Sequence, residues 1–391
     1  MNKAILKPEV QKFIREHLED DLSKLILKGS PFDNVSIQEI AIQINGLQRT
    51  KSKLPVWFKT EGILFPPNIN LEQTSSEVTA KYKATLTGGK TLVDITGGLG
   101  IDTFYFSERF EQVIHLELNM ELSGIASHNF AILQVKNINT IAGNGLAYLK
   151  NSAEKFDWIY LDPARRDDHG GKVFLLEHCT PDIASNLDLF FSKSDNILIK
   201  SSPLLDLTAG VKDLHNLKEI HIVSVNNEVK EILWILQKYY SGKIEIKTVN
   251  FQKKEIQYFE GYYNSNTPGL QFSLPLNFLF EPNPAVMKSG LFAEVGFKTG
   301  TCKLHVSSHL YTSNELTDFP GRKFRITEVY PYTKKLKKHL QFQKANITTR
   351  NFPKSVSEIR TELKIKDGGD KYLFFTTNME DEKIVIVCQK V

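Results

Sequence analysis

The chain has 391 residues, more than one domain usually holds, so two or three domains are expected and at least one with a full hydrophobic core. Apolar residues make up 41 % and charged residues 24 %, an ordinary globular balance, and the formal net charge of +4 gives only a mild lean toward a polyanionic partner. Cys179, Cys302 and Cys388 are scattered, which argues against a disulfide scaffold or a structural zinc site and for a reducing compartment. The first residues, MNKAILKPEVQKFIREHLED, form no signal-peptide apolar core, and no later run reaches the roughly eighteen apolar residues of a membrane span. The expectation is a cytoplasmic protein without membrane or metal.

From residue 4 to about 85 the pattern is helical. ILKPEVQKFIREHLEDDLSKLILKG repeats apolar positions every three or four residues and closes on Gly29; SIQEIAIQINGLQRTKSKLP opens with Ser36 as N-cap and Glu39 as its capping-box partner. Residues 1–70 read as a helical domain. Arg49, Lys51, Lys53 and Lys59, with Trp57 and Phe58 between them, offer cations and aromatics for a nucleic acid. A solvated loop whose aromatics tuck into the next domain fits the same residues.

Residues 71–255 change rhythm. TLVDI, QVIHLEL, NINTIAG, FDWIYLD, NILIKSS and EIHIVSV are short β-rich runs, most of them separated by stretches long enough for a helix. That alternation predicts an α/β, doubly wound, Rossmann-like domain with a parallel sheet, whose ligands lie beyond the carboxyl ends of the strands. The polar residues at those ends are therefore the ones that matter.

The first strand runs into DITGGLGID, where Gly97, Gly98 and Gly100 precede a helix expected near Asp102. Side chains on such a turn would block a cofactor from the helix N-terminus. The turn lacks the Gly-Lys-Ser/Thr of a nucleotide-phosphate loop, which makes ATP or GTP hydrolysis a poor fit. Glu117 ends the second strand, seventeen residues past Gly100, and an acid there can accept both hydroxyls of a ribose. Asp94 stands before the glycines, where its charge would repel a pyrophosphate and suit a ligand carrying a sulfonium and an amino group. A nicotinamide dehydrogenase is disfavoured on that ground.

VDITGGLGID, Glu117, GNGLAYL and LDPARR together resemble the ordered motifs of the class I S-adenosylmethionine-dependent methyltransferases, over about residues 72–245. The resemblance implies that Asp94, Thr96, Gly97, Gly98, Gly100 and Asp102 form the turn that holds the amino-acid end of the cofactor. It also implies that Glu117 binds the ribose and that Asn144 accepts a hydrogen bond from the adenine amine. Asp162-Pro163-Ala164-Arg165 is similar to the Asp-Pro-Pro-Arg form of RNA-modifying members, with Ala164 in place of the second proline. Asp162, Arg165 and Lys200 are the implied catalytic group: Asp162 orients or deprotonates the acceptor, and the polar loop Arg165, Arg166, Asp167, Asp168, His169 and Lys172 suits a phosphate or a base edge. Carbon-5 chemistry by cysteine attack is disfavoured, because no cysteine falls between 180 and 301, and Cys179 reads as a buried small residue. Upstream, NLEQTSSEVTAKYKA resembles the segment that closes over the cofactor, with Gln73, Ser75, Ser76 and Thr79 as its polar positions; an ordinary helix capped by Thr74 or Ser75 fits the same residues.

Beyond residue 255, QFSLPLNFLFEPNPAVMKSG is broken by Pro275, Pro282 and Pro284. CKLHVSSH reads as a strand on which Cys302, His305 and His309 do not share a face, which argues against a metal. RKFRITEVYPY, a basic helix TKKLKKHLQFQKA, NITTRNF, a helix SVSEIRTELKI, KYLFFTTN and KIVIVCQKV then make a small α+β unit. These parts, 256–321 and 322–391, look similar to the ferredoxin-like and THUMP-like domains of a bacterial methyltransferase group, mostly from the Bacteroidetes. THUMP domains bind structured RNA, so the resemblance implies an RNA partner, with Lys334, Lys335, Lys337, Lys338, His339, Arg350 and Lys354 as its phosphate footprint. The expected function is methylation of a base in tRNA or rRNA. A methyltransferase acting on protein or a small molecule, and a nonenzymatic RNA-binding protein of the same fold, stay open.

Overall fold

The computed structural model describes residues 2–67, 74–165, 176, 179–267, 269–340 and 342–391. The chain divides into two compact units, Met1–Lys218 with Leu233–Ser241, and Glu219–Ile232 with Gly242–Val391.

The first unit opens with helices α1 (Pro8–Glu16), α2 (Leu22–Lys28), α3 (Ile37–Thr50), α4 (Pro55–Lys59) and α5 (Glu77–Thr85). Ser36 and Glu39 form the expected capping box on α3. Helix α5 is capped by Ser76, not by Thr74 or Ser75, because Ser75 turns inward to a buried carboxylate. Trp57 is fully buried and meets Phe104 edge to face at 6.1 Å, so the tucked-in reading of the basic stretch holds and its indole is closed to a base. The Asn129 amide bonds Leu64 through both its oxygen and its nitrogen (2.8 and 2.9 Å), which ties the segment after α4 to the sheet domain.

The parallel sheet follows. Its elements are β1 (Gly89–Asp94), α6 (Ile101–Phe106), β2 (Phe110–Glu117), α7 (Met120–Ile132), β3 (Ile138–Ala142), α8 (Gly145–Asn151), β4 (Phe156–Leu161), a short pair β5 (Ala164–Arg165) and β6 (Cys179–Thr180), α9 (Leu187–Lys193), β7 (Ser194–Ser201) and α10 (Leu207–Asp213). Strand order is β7-β4-β1-β2-β3, every pair parallel. The direction reverses across β1, so the carboxyl ends of β1 and β4 form the mouth where such sheets bind ligands. The central strands are apolar on both faces, with Leu92, Val93, Ile159, Leu161, Ile197 and Ile199 fully or nearly fully buried, as helices on both sides require. Cys179 is half-exposed in the two-stranded β5–β6 ribbon, contrary to the buried role expected, because that ribbon has no core of its own.

The remaining elements are β8 (Leu217–Val225), β9 (Glu228–Gln237), β10 (Glu245–Phe251), β11 (Ile256–Tyr262), β12 (Phe278–Pro282), α11 (Pro284–Ser289), α12 (Phe292–Thr299), β13 (Cys302–Lys303), β14 (Tyr311–Ser313), β15 (Gly321–Pro331), α13 (Leu336–His339), β16 (Asn346–Arg350), α14 (Val356–Leu363), β17 (Lys371–Thr377) and β18 (Lys383–Lys390). In the second unit β10 pairs with β8 in parallel and with β11 antiparallel. A seven-stranded sheet runs β13-β14-β12-β15-β18-β17-β16, antiparallel except for β16 with β17. Leu279, Phe324, Phe374 and Ile386 pack in a cluster with Leu304 and Leu310; Leu373, Phe375, Val385 and Val387 pack in another with Ile359 and Leu363 of α14.

Two expectations fail here. CKLHVSSH is a strand only at Cys302–Lys303; His305 then pairs with Asp381 and Asn351, while His309 stacks on Phe292. The lysine-rich helix is a single turn, Leu336–His339: buried Leu336 and Leu340 anchor it, and the chain must then extend into β16. Among the described residues, no helix is long and apolar enough to cross a membrane.

Candidate functional site

The turn after β1 is built from its glycines outward. Gly97 donates to Leu116 O at 2.8 Å, which brings the backbone so close to β2 that a Cβ there would lie 2.3 Å from His115 Nε2. Gly98 (φ +57°) and Gly100 (φ +84°) lie in the left-handed region, and a Cβ on Gly100 would also lie 2.3 Å from Phe130 Cζ. His115 is fully buried behind the turn and packs edge to face on Phe130; burial pushes its pKa down to about 4, so it is a neutral wedge.

Glu117, half-buried at the end of β2, accepts from Gly98 N through Oε2 (2.9 Å) and from Asn119 N through Oε1 (2.7 Å). Each oxygen keeps a second lone pair, which is the acceptor pair that a diol needs. Asn144 is exposed and caps α8, its Oδ1 accepting from Ala147 N at 3.0 Å. The cap uses one lone pair of that oxygen, and the other remains for a donor such as an amine.

Beneath the turn lies a buried network of acids and lysines. Asp94 is 1 % exposed; its Oδ1 accepts from Thr96 N (3.0 Å) and its Oδ2 from Thr103 Oγ1 (2.6 Å), so it shapes the turn from below. Burial, with smaller contributions from the charges of Asp102 and Asp162, pushes its pKa up to about 7 against those hydrogen bonds. Asp102, in the first turn of α6, accepts from Tyr160 OH (2.7 Å) and Ser75 Oγ (2.8 Å), and its Oδ1 lies 3.2 Å from Lys83 Nζ. Burial alone would raise the Asp102 pKa, but the charges of Lys83 and Lys200 outweigh it and hold the carboxyl below the ordinary range. Lys83 is fully buried and also donates to Ser75 Oγ at 3.0 Å.

Asp162 follows β4. Its backbone N donates to Thr96 Oγ1 (2.6 Å), and its Oδ2 accepts from Lys200 Nζ of β7 at 2.5 Å. Its side chain is 36 % exposed while that of Lys200 is 10 % exposed, so the acid faces outward and the lysine holds it from within. Thr96 thus couples the cofactor-side turn to the acid at the neighbouring strand end. The backbone of Arg165 is in β5; Gln73 and residues 166–175, including Arg166, Asp167, Asp168, His169 and Lys172, lie outside the described residues.

Sequence reading missed Lys83, Thr103, Tyr160 and His115. A signal existed for Lys83: Thr79, Ala80, Lys83 and Ala84 follow helical spacing and all are buried, so this lysine shares the inner face of α5. Tyr160 and His115 sit inside apolar strands, where nothing in the residue order marks a polar contact.

Aligned over the whole chain, the protein is 30 % identical to a methyltransferase-named protein from Porphyromonas gingivalis W83 of known crystal structure, with a TM-score of 0.90 and coverage of 100 % of this chain and 98 % of that one. The chain belongs to the S-adenosylmethionine-dependent methyltransferases. A ferredoxin-like domain model matches residues 278–320 and a THUMP domain-like model matches residues 321–390. Those two segments share one sheet, since β12 pairs with β15. Over 201 residues the methyltransferase is also 24 % identical to an uncharacterized RNA methyltransferase of Mycoplasma mobile, a match spanning 47 % of this chain and about half, 55 %, of that protein.

The donor set fits the family's cofactor. Asp102 pairs with Lys83 and Asp162 with Lys200, which leaves Asp94, whose pKa stands at about 7, as the acid that a ligand with more cationic than anionic groups would draw into its ionised form. When bound, S-adenosylmethionine supplies an electrophilic methyl group.

Proposed function

We propose that this methyltransferase modifies a nucleotide base in structured RNA, tRNA or rRNA. The observation that carries the reading is Asp162, fixed at the lip of the glycine turn by Thr96 and Lys200 with its carboxylate half-exposed. No described residue donates to its Oδ1, which leaves that oxygen to orient an acceptor amine or to take its proton. RNA is favoured over protein or a small molecule by the THUMP domain-like match at 321–390 and by the name of the Mycoplasma mobile relative.

In this reading Asp162, Arg165 and Lys200 serve the transfer. Thr96, Gly97, Gly98 and Gly100 receive the amino-acid end of the cofactor, with Asp94 and Asp102 supporting them from below. Glu117 takes the ribose, and Asn144 lies by the adenine, accepting from its amine through the remaining lone pair of Oδ1. Residues 1–70 and 71–255 make the catalytic part, and 256–321 with 322–391 position the RNA. The three free cysteines suit a cytoplasmic setting.

The test is incubation of purified protein and methyl-labelled S-adenosylmethionine with total RNA from a strain lacking the gene, beside RNA from the intact strain and an Asp162→Ala protein. Label should enter the deletion-strain RNA alone and vanish with Asp162→Ala; digestion then names the nucleotide. A protein that binds cofactor yet labels no RNA fraction, while labelling a protein or small-molecule extract, overturns the RNA assignment.

A further inference from the structure

In the second unit, Glu281 of β12 is 3 % exposed and faces Arg322, its register partner on β15, together with Arg350 at the end of β16. Arg322 donates Nε (2.7 Å) and Nη2 to Oε2; Arg350 donates Nε (3.2 Å) and Nη2 (2.9 Å) to Oε1. One carboxylate thus receives four N–H donors and is satisfied. It balances one guanidinium and leaves the charge of the other uncompensated.

The second arginine is the informative one. A buried glutamate joining two strands needs a single partner, and a second guanidinium adds like-charge repulsion at close range. Among the described residues the ion pairs of both arginines go to Glu281 alone, and neither Nη1 donates to the protein. The side chains of Arg322 and Arg350 are 37 % and 36 % exposed, against 4 % for Glu281.

The surroundings add positive field. Lys303 is 2 % exposed, donates to Val306 O at 2.6 Å, lies 5.0 Å from the Phe292 ring, and pairs with no carboxylate among the described residues. The charges acting on His309 are those of Lys303 and Arg350, both cationic, and its buried Nδ1 has no hydrogen-bond partner among the described residues. Burial, seconded by those charges, pushes its pKa down to about 4 and keeps the ring neutral.

We propose that Arg322 and Arg350, oriented by Glu281, bind a phosphate group of the RNA backbone. Two guanidiniums held on one buried acid keep their Nη1 groups unspent and lower the cost of ordering these side chains on a ligand, which suits recognition of phosphate. The identity of the carrier rests on the RNA reading; the anion site rests on the arginines alone.

The test uses the full chain and labelled total RNA in filter binding across a salt series, for wild type, Arg350→Gln and Arg322→Gln. Each variant leaves one arginine on Glu281. Each should lose roughly tenfold in affinity and lower the salt slope by about one. Arg350→Lys keeps the charge without the fork; it should retain the slope, lose part of the affinity, and serve if a glutamine variant does not fold. Wild-type affinity and slope in the folded variants overturn the arginine site and leave the RNA reading standing. If wild type binds no RNA, the RNA reading falls, and thermal unfolding in inorganic phosphate decides the rest: a stabilisation that Arg350→Gln loses and Arg350→Lys only weakens keeps an anion site for a free phosphate, and a stabilisation equal in wild type and the folded variants, or none, removes it.

Discussion

The mouth of the parallel sheet and the Glu281 end of the seven-stranded sheet solve opposite charge problems by the same means, a buried counter-charge. At the mouth, Asp94, Asp102 and Asp162 outnumber Lys83 and Lys200; at the other, Arg322 and Arg350 share one Glu281. Each holds its outward group with a more deeply buried counter-charge: the Lys200 side chain is 10 % exposed against 36 % for Asp162, and that of Glu281 is 4 % exposed against 37 % and 36 % for Arg322 and Arg350. A deeply buried counter-charge orients the exposed groups; on the proposed readings the excess of one sign serves a ligand of the other, a sulfonium in the first case and a phosphate in the second.

The largest effect should come from removing the outward acid. Asp162→Asn is expected to lower the rate of methyl transfer by roughly 10²–10⁴-fold with cofactor affinity nearly unchanged, read by single-turnover transfer beside equilibrium binding. Equal losses in both would place Asp162 in cofactor binding instead.

Breaking the minority charge comes next. Lys83→Met leaves Asp102 buried without its nearest cation and should cost about 3–5 kcal/mol in denaturant unfolding, much of it recovered by adding Asp102→Asn. A mild loss with no rescue would show that Lys200, Tyr160 and Ser75 suffice to hold that acid.

Smaller again is the ribose acceptor. Glu117→Gln keeps the size of the side chain but weakens charge-assisted acceptance, and roughly ten- to hundredfold weaker cofactor binding is expected, measured by calorimetry. Unchanged affinity would move the ribose elsewhere.

The last effect is a slope with pH. Asp94 has its folded pKa raised to about 7, above the unfolded value, so its stabilising share is complete below the unfolded pKa near 4 and is lost as pH rises through about 7. Wild type should therefore lose stability relative to Asp94→Asn between pH 4 and 7, read as the difference between their unfolding curves. Parallel pH profiles would mean that Asp94 stays ionised in the folded protein.

Much of the mouth was legible in the sequence because its residues are local and ordered along the chain. DITGGLGID, Glu117 and LDPARR each end a short β-rich run, and parallel strands must deliver their carboxyl ends to one side. What those residues do was less legible. Asp94 and Asp102 read as ligand groups, yet both are buried and spend their oxygens on Thr96, Thr103, Tyr160 and Ser75, since hydrogen bonds of this kind join residues as many as 58 positions apart.

The second unit was harder still. The lysine-rich run 334–339 attracted attention because it is contiguous, but only one turn is helical, and Lys354 is paired with Glu362 at 2.6 Å and Tyr332 OH at 2.9 Å. Arg322 and Glu281 carried no signal at all. They are 41 residues apart, and antiparallel pairing of β12 with β15 brings them face to face.

The sequence by itself determined the alternation of strands and helices, the glycine turn, the acids at the strand ends and hence the family, because each depends on short-range order and backbone stereochemistry. Tertiary structure alone decided which charges are buried, which carboxylates are satisfied from within and which face outward. Burial and counter-charge are properties of packing, and packing is set by residues far apart in the chain.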